Sequence, residues 1–318
     1  GVMRFSLTRR TLTPVSTNDA ASLFALEGNL RLIEFHSKAN ALTDESMQIV
    51  AAAAKDHGAG IIVHNDAQHF SAGVDLNAFR AMIEAKDWDS IDRFLWRFQM
   101  AVKALKYTPV PVVGAPSGLG VGGGFEVLAH CDKLVVHSNS VLGLVESAVG
   151  VVPSGGGVKE SYLRWYQQTG SWDEAAWKCW MNIGYAATGS SPELSARLQY
   201  FRPDQDETIM NRDRLLPRAI ALAGELSANY QPPQPPKAQL AAASLADKMA
   251  DFMQAGVDNG DFMPHDKTTA MAIASVMVQS DGDTANVDED ALYARERAAF
   301  ISLAKTAPTH QRIRSMLD

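Results

Sequence analysis

Cysteine is nearly absent. Cys131 and Cys179 stand far apart in 318 residues, which excludes a disulfide framework and a cysteine-based metal site. A reducing, intracellular setting follows, and a cytoplasmic location is the expectation. The eight histidines never fall at the i, i+4 spacing of metal ligands, so no metal is expected. No apolar run approaches the ~20 residues of a membrane span. The opening residues Gly1-Val2-Met3-Arg4-Phe5 lack the apolar stretch of a secretory signal. Basic residues are not in excess. A net charge of −7 argues against a broad nucleic-acid surface, though a local basic pocket for an anionic cofactor is compatible with it. There is no internal repeat. What is present is 46% hydrophobic and 20% charged residues, the composition of a soluble globular protein. The length suits one large or two ordinary domains.

Along the chain, Leu30 to Phe35 reads as a strand. Thr43 is placed to N-cap a helix that runs through Met47, Ile49, Val50 and Ala54 and stops at Gly58. Gly60 to His64 is a short apolar run, hence a buried strand. Ile91, Phe94, Leu95, Phe98, Val102 and Leu105 recur at helical spacing and end before Pro109. Val110 to Ala115 is a further buried strand despite Pro111. After a glycine-rich turn, Gly122 to His130 reads as helix and Lys133 to His137 as strand. This alternation predicts an α/β layered fold. After about residue 185 strand signals fade. Pro232-Pro233-Gln234-Pro235-Pro236 is a stiff break, with helices expected around 238–255, 267–279 and 288–305. The expected division is a peripheral segment 1–25, a core domain 26–185 and a helical C-terminal extension 186–318.

Two carboxylates interrupt apolar stretches: Glu126 in Gly122-Gly123-Gly124-Phe125-Glu126-Val127-Leu128, and Glu146 in Val141-Leu142-Gly143-Leu144-Val145-Glu146. A carboxylate in a buried run is costly unless it is paired or protonated. Its pKa is expected to rise, which suits proton transfer near neutral pH. Either residue alone is explained by ordinary ion pairing at a helix start or a strand end. The two together, with the motifs below, favour acid–base chemistry.

Gly118-x-Gly120-x-x-Gly123 matches the dinucleotide fingerprint, between a strand and a helix. More than a hundred residues of α/β sequence precede it, whereas the fingerprint usually opens its domain. Phe125-Glu126 also puts a carboxylate in the helix's first turn, facing any pyrophosphate there. An NAD site is therefore not expected. The glycines instead bring a backbone N–H close to a substrate oxygen. In His69-Phe70-Ser71-Ala72-Gly73-Val74-Asp75-Leu76, small residues after a strand permit close approach of a ligand and leave turn N–H groups available. Taken alone, this motif is better explained as a plain strand-to-helix turn capped by Asp75.

These motifs, in this order, resemble the crotonase (enoyl-CoA hydratase/isomerase) superfamily. The similarity covers roughly residues 28–165. It runs from Lys38-Ala39-Asn40-Ala41-Leu42 through Phe70 to Leu76, Gly122 to Glu126, His130-Cys131-Asp132 and Leu142 to Glu146, to Gly150-Val151-Val152-Pro153-Ser154-Gly155-Gly156-Gly157. The resemblance implies a crotonase-like fold of stacked ββα units and an acyl-CoA ligand. It implies an oxyanion hole formed by the Val74 and Gly123 N–H groups. Glu126 and Glu146 become the catalytic pair; having both favours hydratase over Δ3-Δ2 enoyl-CoA isomerase. By the same resemblance Ala39, Ala41 and Ala72 offer backbone groups to coenzyme A, and Lys38 is a phosphate contact or, equally, a solvated surface lysine. Asp75 and Asp132 are expected to be structural. Gly155-Gly156-Gly157, leading to Lys159, looks like a phosphate loop without the Walker spacing. Trp165, Trp172, Trp177 and Trp180 are expected in core packing, with a lining for a long acyl chain as the alternative.

Met210-Asn211-Arg212-Asp213-Arg214-Leu215-Leu216, the Pro-rich break and Glu296-Arg297-Ala298-Ala299-Phe300 are similar to the hydratase part of bacterial 3-hydroxyacyl-CoA dehydrogenase/enoyl-CoA hydratase fusion proteins. That implies a fused or associated dehydrogenase domain and a chain that is one piece of a longer polypeptide. The long tail puts the family's usual trimer in question, leaving a homo-oligomer open. The competing readings are the isomerase, a non-catalytic acyl-CoA-binding domain that partners a dehydrogenase, and, last, an NAD-dependent dehydrogenase.

Overall fold

The computed structural model describes residues 2–318. They form two compact units. One runs up to Asp75 and includes Arg97–Gly143 and Thr188–Gln234; the other comprises Leu76–Trp96, Leu144–Ala187 and Pro235–Asp318. This division departs from the expected 26–185 and 186–318, because neither unit is continuous in sequence. The Pro-rich stretch 232–236 has no regular structure and spans the last crossing between them.

The first unit is built on a seven-stranded sheet in the order β1-β2-β3-β4-β5-β7-β10. The strands are β1 (Ser16–Thr17), β2 (Ala21–Leu26), β3 (Leu30–Phe35), β4 (Gly60–Val63), β5 (Val112–Gly114), β6 (Leu119–Val121), β7 (Lys133–His137), β8 (Val141–Gly143), β9 (Thr188–Gly189) and β10 (Glu207–Ile209). β1, β2 and β3 pair antiparallel. From β3 to β10 the pairing is parallel, with Leu32 beside Ile62 and Ile62 beside Val113. All four β4 residues are buried, as an uninterrupted apolar run requires when both faces of a parallel sheet are covered. A smaller sheet, β6-β8-β9, stands apart from it.

The helix Asp44–Lys55 starts where Thr43 predicts. Thr43 accepts from Ser46 N, and the Ser46 hydroxyl accepts from Thr43 N. Such a cap is worth about 1 kcal/mol. The segment expected to be peripheral is not. Phe5 is fully buried and meets the Phe24 ring edge-on at 5.1 Å, and β2 lies inside the sheet. Its apolar stretch is too short to announce itself by periodicity. Residues beyond 185 also complete this unit. Leu215, Leu216, Ala219, Leu222 and Ala223, one face of the helix Leu215–Ser227, pack on Leu32, Ile62, Val113 and Val135.

The second unit is mostly helical: Leu76–Glu84, Gly157–Thr169, Trp172–Gly184, Ser244–Asp258, Pro264–Met277, Glu289–Ala304 and Ala307–Leu317, with a ribbon of β11 (Ala238–Gln239) and β12 (Asn286–Val287). The C-terminal helices begin several residues from the expected start in the first case and match closely in the third. The last one was not foreseen. It begins around Pro308, a residue tolerated in a helix's first turn. No helix among the described residues is long and apolar enough to cross a membrane.

Candidate active site

In the first unit two loops meet around three glycines. Leu42 and Val74 form a parallel bridge: Leu42 N donates to Gly73 O, and Asp75 N donates to Leu42 O. Strand-like alternation therefore turns the Val74 N–H away from Leu42. The helix Gly123–Ala129 begins beside it, and Gly123 is the first helical residue, whose N–H has no partner within the helix. A Cβ built on Gly123 would lie 3.5 Å from Val74 N and 2.6 Å from its Cγ2, and one on Gly73 would lie 3.8 Å from Gly123 N. The two N–H groups singled out from the sequence are thus neighbours. Gly73 (φ +102°) and Gly122 (φ +56°) occupy backbone that side-chain-bearing residues rarely adopt.

Ser71 holds this arrangement, a role not foreseen from the sequence. Its hydroxyl donates to Asn40 O at 2.8 Å and accepts from Gly73 N at 3.2 Å. Ser71 also bridges Gly120, and a Cβ on Gly124 would strike the Ser71 Cβ at 2.6 Å. His69 and Asn40 complete the frame. Leu119 N donates to His69 Nδ1 at 3.1 Å, and Asn40 Nδ2 donates to His69 O at 2.8 Å.

Of the residues expected to meet coenzyme A, Ala39 and Ala72 are brought together: Ala72 N donates to Ala39 O. Both are exposed, as is Lys38, while Ala41 is half-buried. Ala39 (φ 54°) and Asn40 (φ 50°) are consecutive left-handed residues. Such strain costs of order 1 kcal/mol or more per residue and tends to sit at functional sites.

The two glutamates differ in setting. Glu126 is 2% exposed, in the first turn of a helix whose far end is tied by the His130 ring donating to the Glu126 carbonyl at 2.6 Å. Glu146 belongs to the second unit and is half-buried, less enclosed than its apolar neighbours in sequence suggest. It opens a 3₁₀ turn, Glu146–Val149, held by the Ser147 hydroxyl donating to Ile183 O at 2.6 Å. Asp132 is structural: it accepts from Val112 N at 2.8 Å and from the Tyr230 hydroxyl. Burial raises its pKa, against the opposing effect of those hydrogen bonds.

The glycine run resembling a phosphate loop is already filled. The Glu296 carboxylate accepts from Gly156 N at 2.7 Å and Lys159 N at 2.8 Å. Lys159, fully buried, donates to Glu160, Glu289 and the Tyr293 hydroxyl. Among the tryptophans, Trp180 and Trp165 are buried, and Trp177, Trp180 and Phe252 form an aromatic cluster.

Residues 27–168 match the enoyl-CoA hydratase/isomerase family model. A probable 3-hydroxyacyl-CoA dehydrogenase of Bacillus subtilis is 29% identical over 97% of this chain and 40% of its own length. Human mitochondrial methylglutaconyl-CoA hydratase is 33% identical over 28% of this chain and 25% of its own. The chain spans about two fifths of the length of the first of these relatives. Among solved structures, an enoyl-CoA hydratase from Bacillus halodurans superposes with a TM-score of 0.62 over 93% of this chain and 99% of its own, at 16% identity; that likeness is one of fold.

Proposed function

From residues 27–168, which belong to the crotonase (enoyl-CoA hydratase/isomerase) superfamily, we infer that this chain hydrates a trans-2-enoyl-CoA to a 3-hydroxyacyl-CoA, a step of fatty-acid β-oxidation. The observation that carries the reading is the pair of adjacent backbone donors, Val74 N–H and Gly123 N–H. Such a pair suits a thioester oxygen that gains negative charge as the substrate becomes an enolate; one donor of this kind is typically worth ~10²–10³ in rate.

In the proposed reaction one ionised carboxylate takes a proton from water as the water oxygen bonds to C3. The electrons of the double bond move into the thioester, and the other carboxyl group delivers a proton to C2. Water is added in full and no redox cofactor is consumed. Glu126 is assigned to the water and Glu146 to C2. Ala39, Ala41, Ala72 and Lys38 are proposed to contact coenzyme A. A dehydrogenase, fused or associated, is the proposed consumer of the product.

The test follows loss of the conjugated enone absorbance of crotonoyl-CoA with no nicotinamide present. Rapid loss that disappears in Glu126→Gln and Glu146→Gln supports the assignment. Near-normal turnover of Glu146→Gln would sink it. Conversion of a 3-enoyl-CoA without hydration would make the chain an isomerase.

A further inference from the structure

Ser71 is fully buried and joins three segments of the first unit. Its backbone pairs with β6, the strand that leads to Gly123: Ser71 N donates to Leu119 O at 2.9 Å, and Val121 N donates to Ser71 O at 3.2 Å. Its hydroxyl joins the other two. A hydroxyl has one proton to give, and the Asn40 carbonyl, which only accepts, takes it at 2.8 Å. A lone pair of the same oxygen receives the Gly73 N–H at 3.2 Å.

The peptide planes on either side of Gly73 are thus fixed separately. The Ser71 hydroxyl holds the plane that carries Gly73 N–H. Leu42 N, donating to Gly73 O at 2.8 Å, holds the plane that carries Val74 N–H. A trans peptide sets its C=O and N–H in opposite directions, so the bond from Leu42 points the Val74 N–H away from the loop Lys38–Leu42. Gly73, at φ +102°, is the residue freest to pivot between the two planes. The loop on the other side of these bonds is strained. Ala39 and Asn40 are both left-handed, a state that persists only where the surroundings hold it. Asn40 Nδ2 donates to His69 O, and Ala72 N donates to Ala39 O, so one set of bonds holds the strained loop and the donor segment together.

We propose that Ser71 is a positioning residue that couples the coenzyme A end of the substrate to the aim of the Val74 N–H. The inference rests on the acyl-CoA reading above and deepens it. Contacts of the nucleotide end at exposed Ala39 and half-buried Ala41 favour the left-handed loop over relaxed alternatives. In that loop Asn40 O stands within reach of the Ser71 hydroxyl, which fixes the plane on the near side of Gly73. Binding of a part of the substrate that does not react is thereby converted into orientation of an oxyanion donor.

The experiment reads the thioester C=O stretch of unreactive butanoyl-CoA and of butanoyl-pantetheine, which lacks the nucleotide, each bound at saturation, by isotope-edited infrared spectroscopy. A donor aimed at the oxygen weakens the C=O bond and lowers its frequency. The expected result is a lower frequency in butanoyl-CoA than in butanoyl-pantetheine, and coincidence of the two in Ser71→Ala. With the crotonoyl thioesters, the CoA form is expected to turn over at least about tenfold faster at saturation than the pantetheine form, a ratio that falls below about threefold in Ser71→Ala. Should that variant fail to fold, Ser71→Cys, whose thiol is a weak donor, takes its place with the same loss of the difference expected. Equal frequencies in the wild-type chain would overturn the coupling. So would a variant that raises both frequencies, or lowers both rates, to the same extent, since a merely structural role does that. Either result leaves the acyl-CoA reading standing. Failure of both thioesters to bind the wild-type chain would overturn that reading and the coupling with it.

Discussion

At the scale of single residues, the adjacent donors depend on what is missing from Gly123. A methyl group there would come within 2.6 Å of the Val74 Cγ2, closer than packing tolerates, so the Val74 side chain or the segment that carries it must shift. Gly123→Ala is expected to lower turnover of crotonoyl-CoA by about 10²-fold while weakening binding of a saturated acyl-CoA much less; equal losses in both would mean that the loop serves only binding. Cys179 offers a separate check. Burial pushes its thiol up to about 12, so it should resist thiol reagents in the folded protein at neutral pH and react fully once the chain is denatured. Glu126 and the glycines were legible because a charge in an apolar run and a glycine triplet are locally improbable. Ser71 was not, because its work is done by partners distant in sequence, Asn40 and Gly124.

At the scale of elements, the loop that follows β4 links the sheet to the Ser71–Val74 segment. His64 donates from one ring nitrogen to Ala115 O at 2.8 Å, and its other nitrogen lies 3.2 Å from Asp66. Burial alone would raise the Asp66 pKa, but hydrogen bonds from His64 and from Ser6 N outweigh it and hold the carboxyl well below the usual range. A depressed folded-state pKa adds stability above the unfolded value of ~3.9, and that stability is lost as pH falls through the folded value. The thermal midpoint should therefore fall on acidification below about pH 4, and Asp66→Asn should flatten that part of the profile; an unchanged slope would remove Asp66 from the account. Long elements such as Trp88–Lys106 were readable from their period. Strands of two or three residues, β9 and β10 among them, were not, since so few positions carry no period and only pairing with β8 and β7 defines them.

At the scale of the whole molecule, a sequence that reads as a core and a tail forms two discontinuous units. Composition can mark the Pro-rich break, but it is blind to which distant segments share a core. The last helices are integral to the second unit: Glu296, fully buried, serves the start of a helix far earlier in the chain. Glu296→Ala would leave two buried N–H groups without their acceptor, at ~1–3 kcal/mol each, so a loss of roughly 2–6 kcal/mol is expected from the denaturant midpoint; a loss under about 1 kcal/mol would show that water replaces the carboxylate. The chain should also accumulate 3-hydroxybutanoyl-CoA from crotonoyl-CoA without producing NADH when NAD⁺ is supplied; NADH formation would place dehydrogenase chemistry in this chain.

The bond from Gly156 to Glu296 spans 140 positions, and this separation has a consequence for synthesis. At ~5–20 residues per second, roughly 7–28 seconds pass between synthesis of the glycine turn and synthesis of the carboxylate that fills it. Through that interval the Gly156 and Lys159 N–H groups lack the acceptor that the folded chain supplies, so the start of this helix is completed only once the chain's last helices are in place.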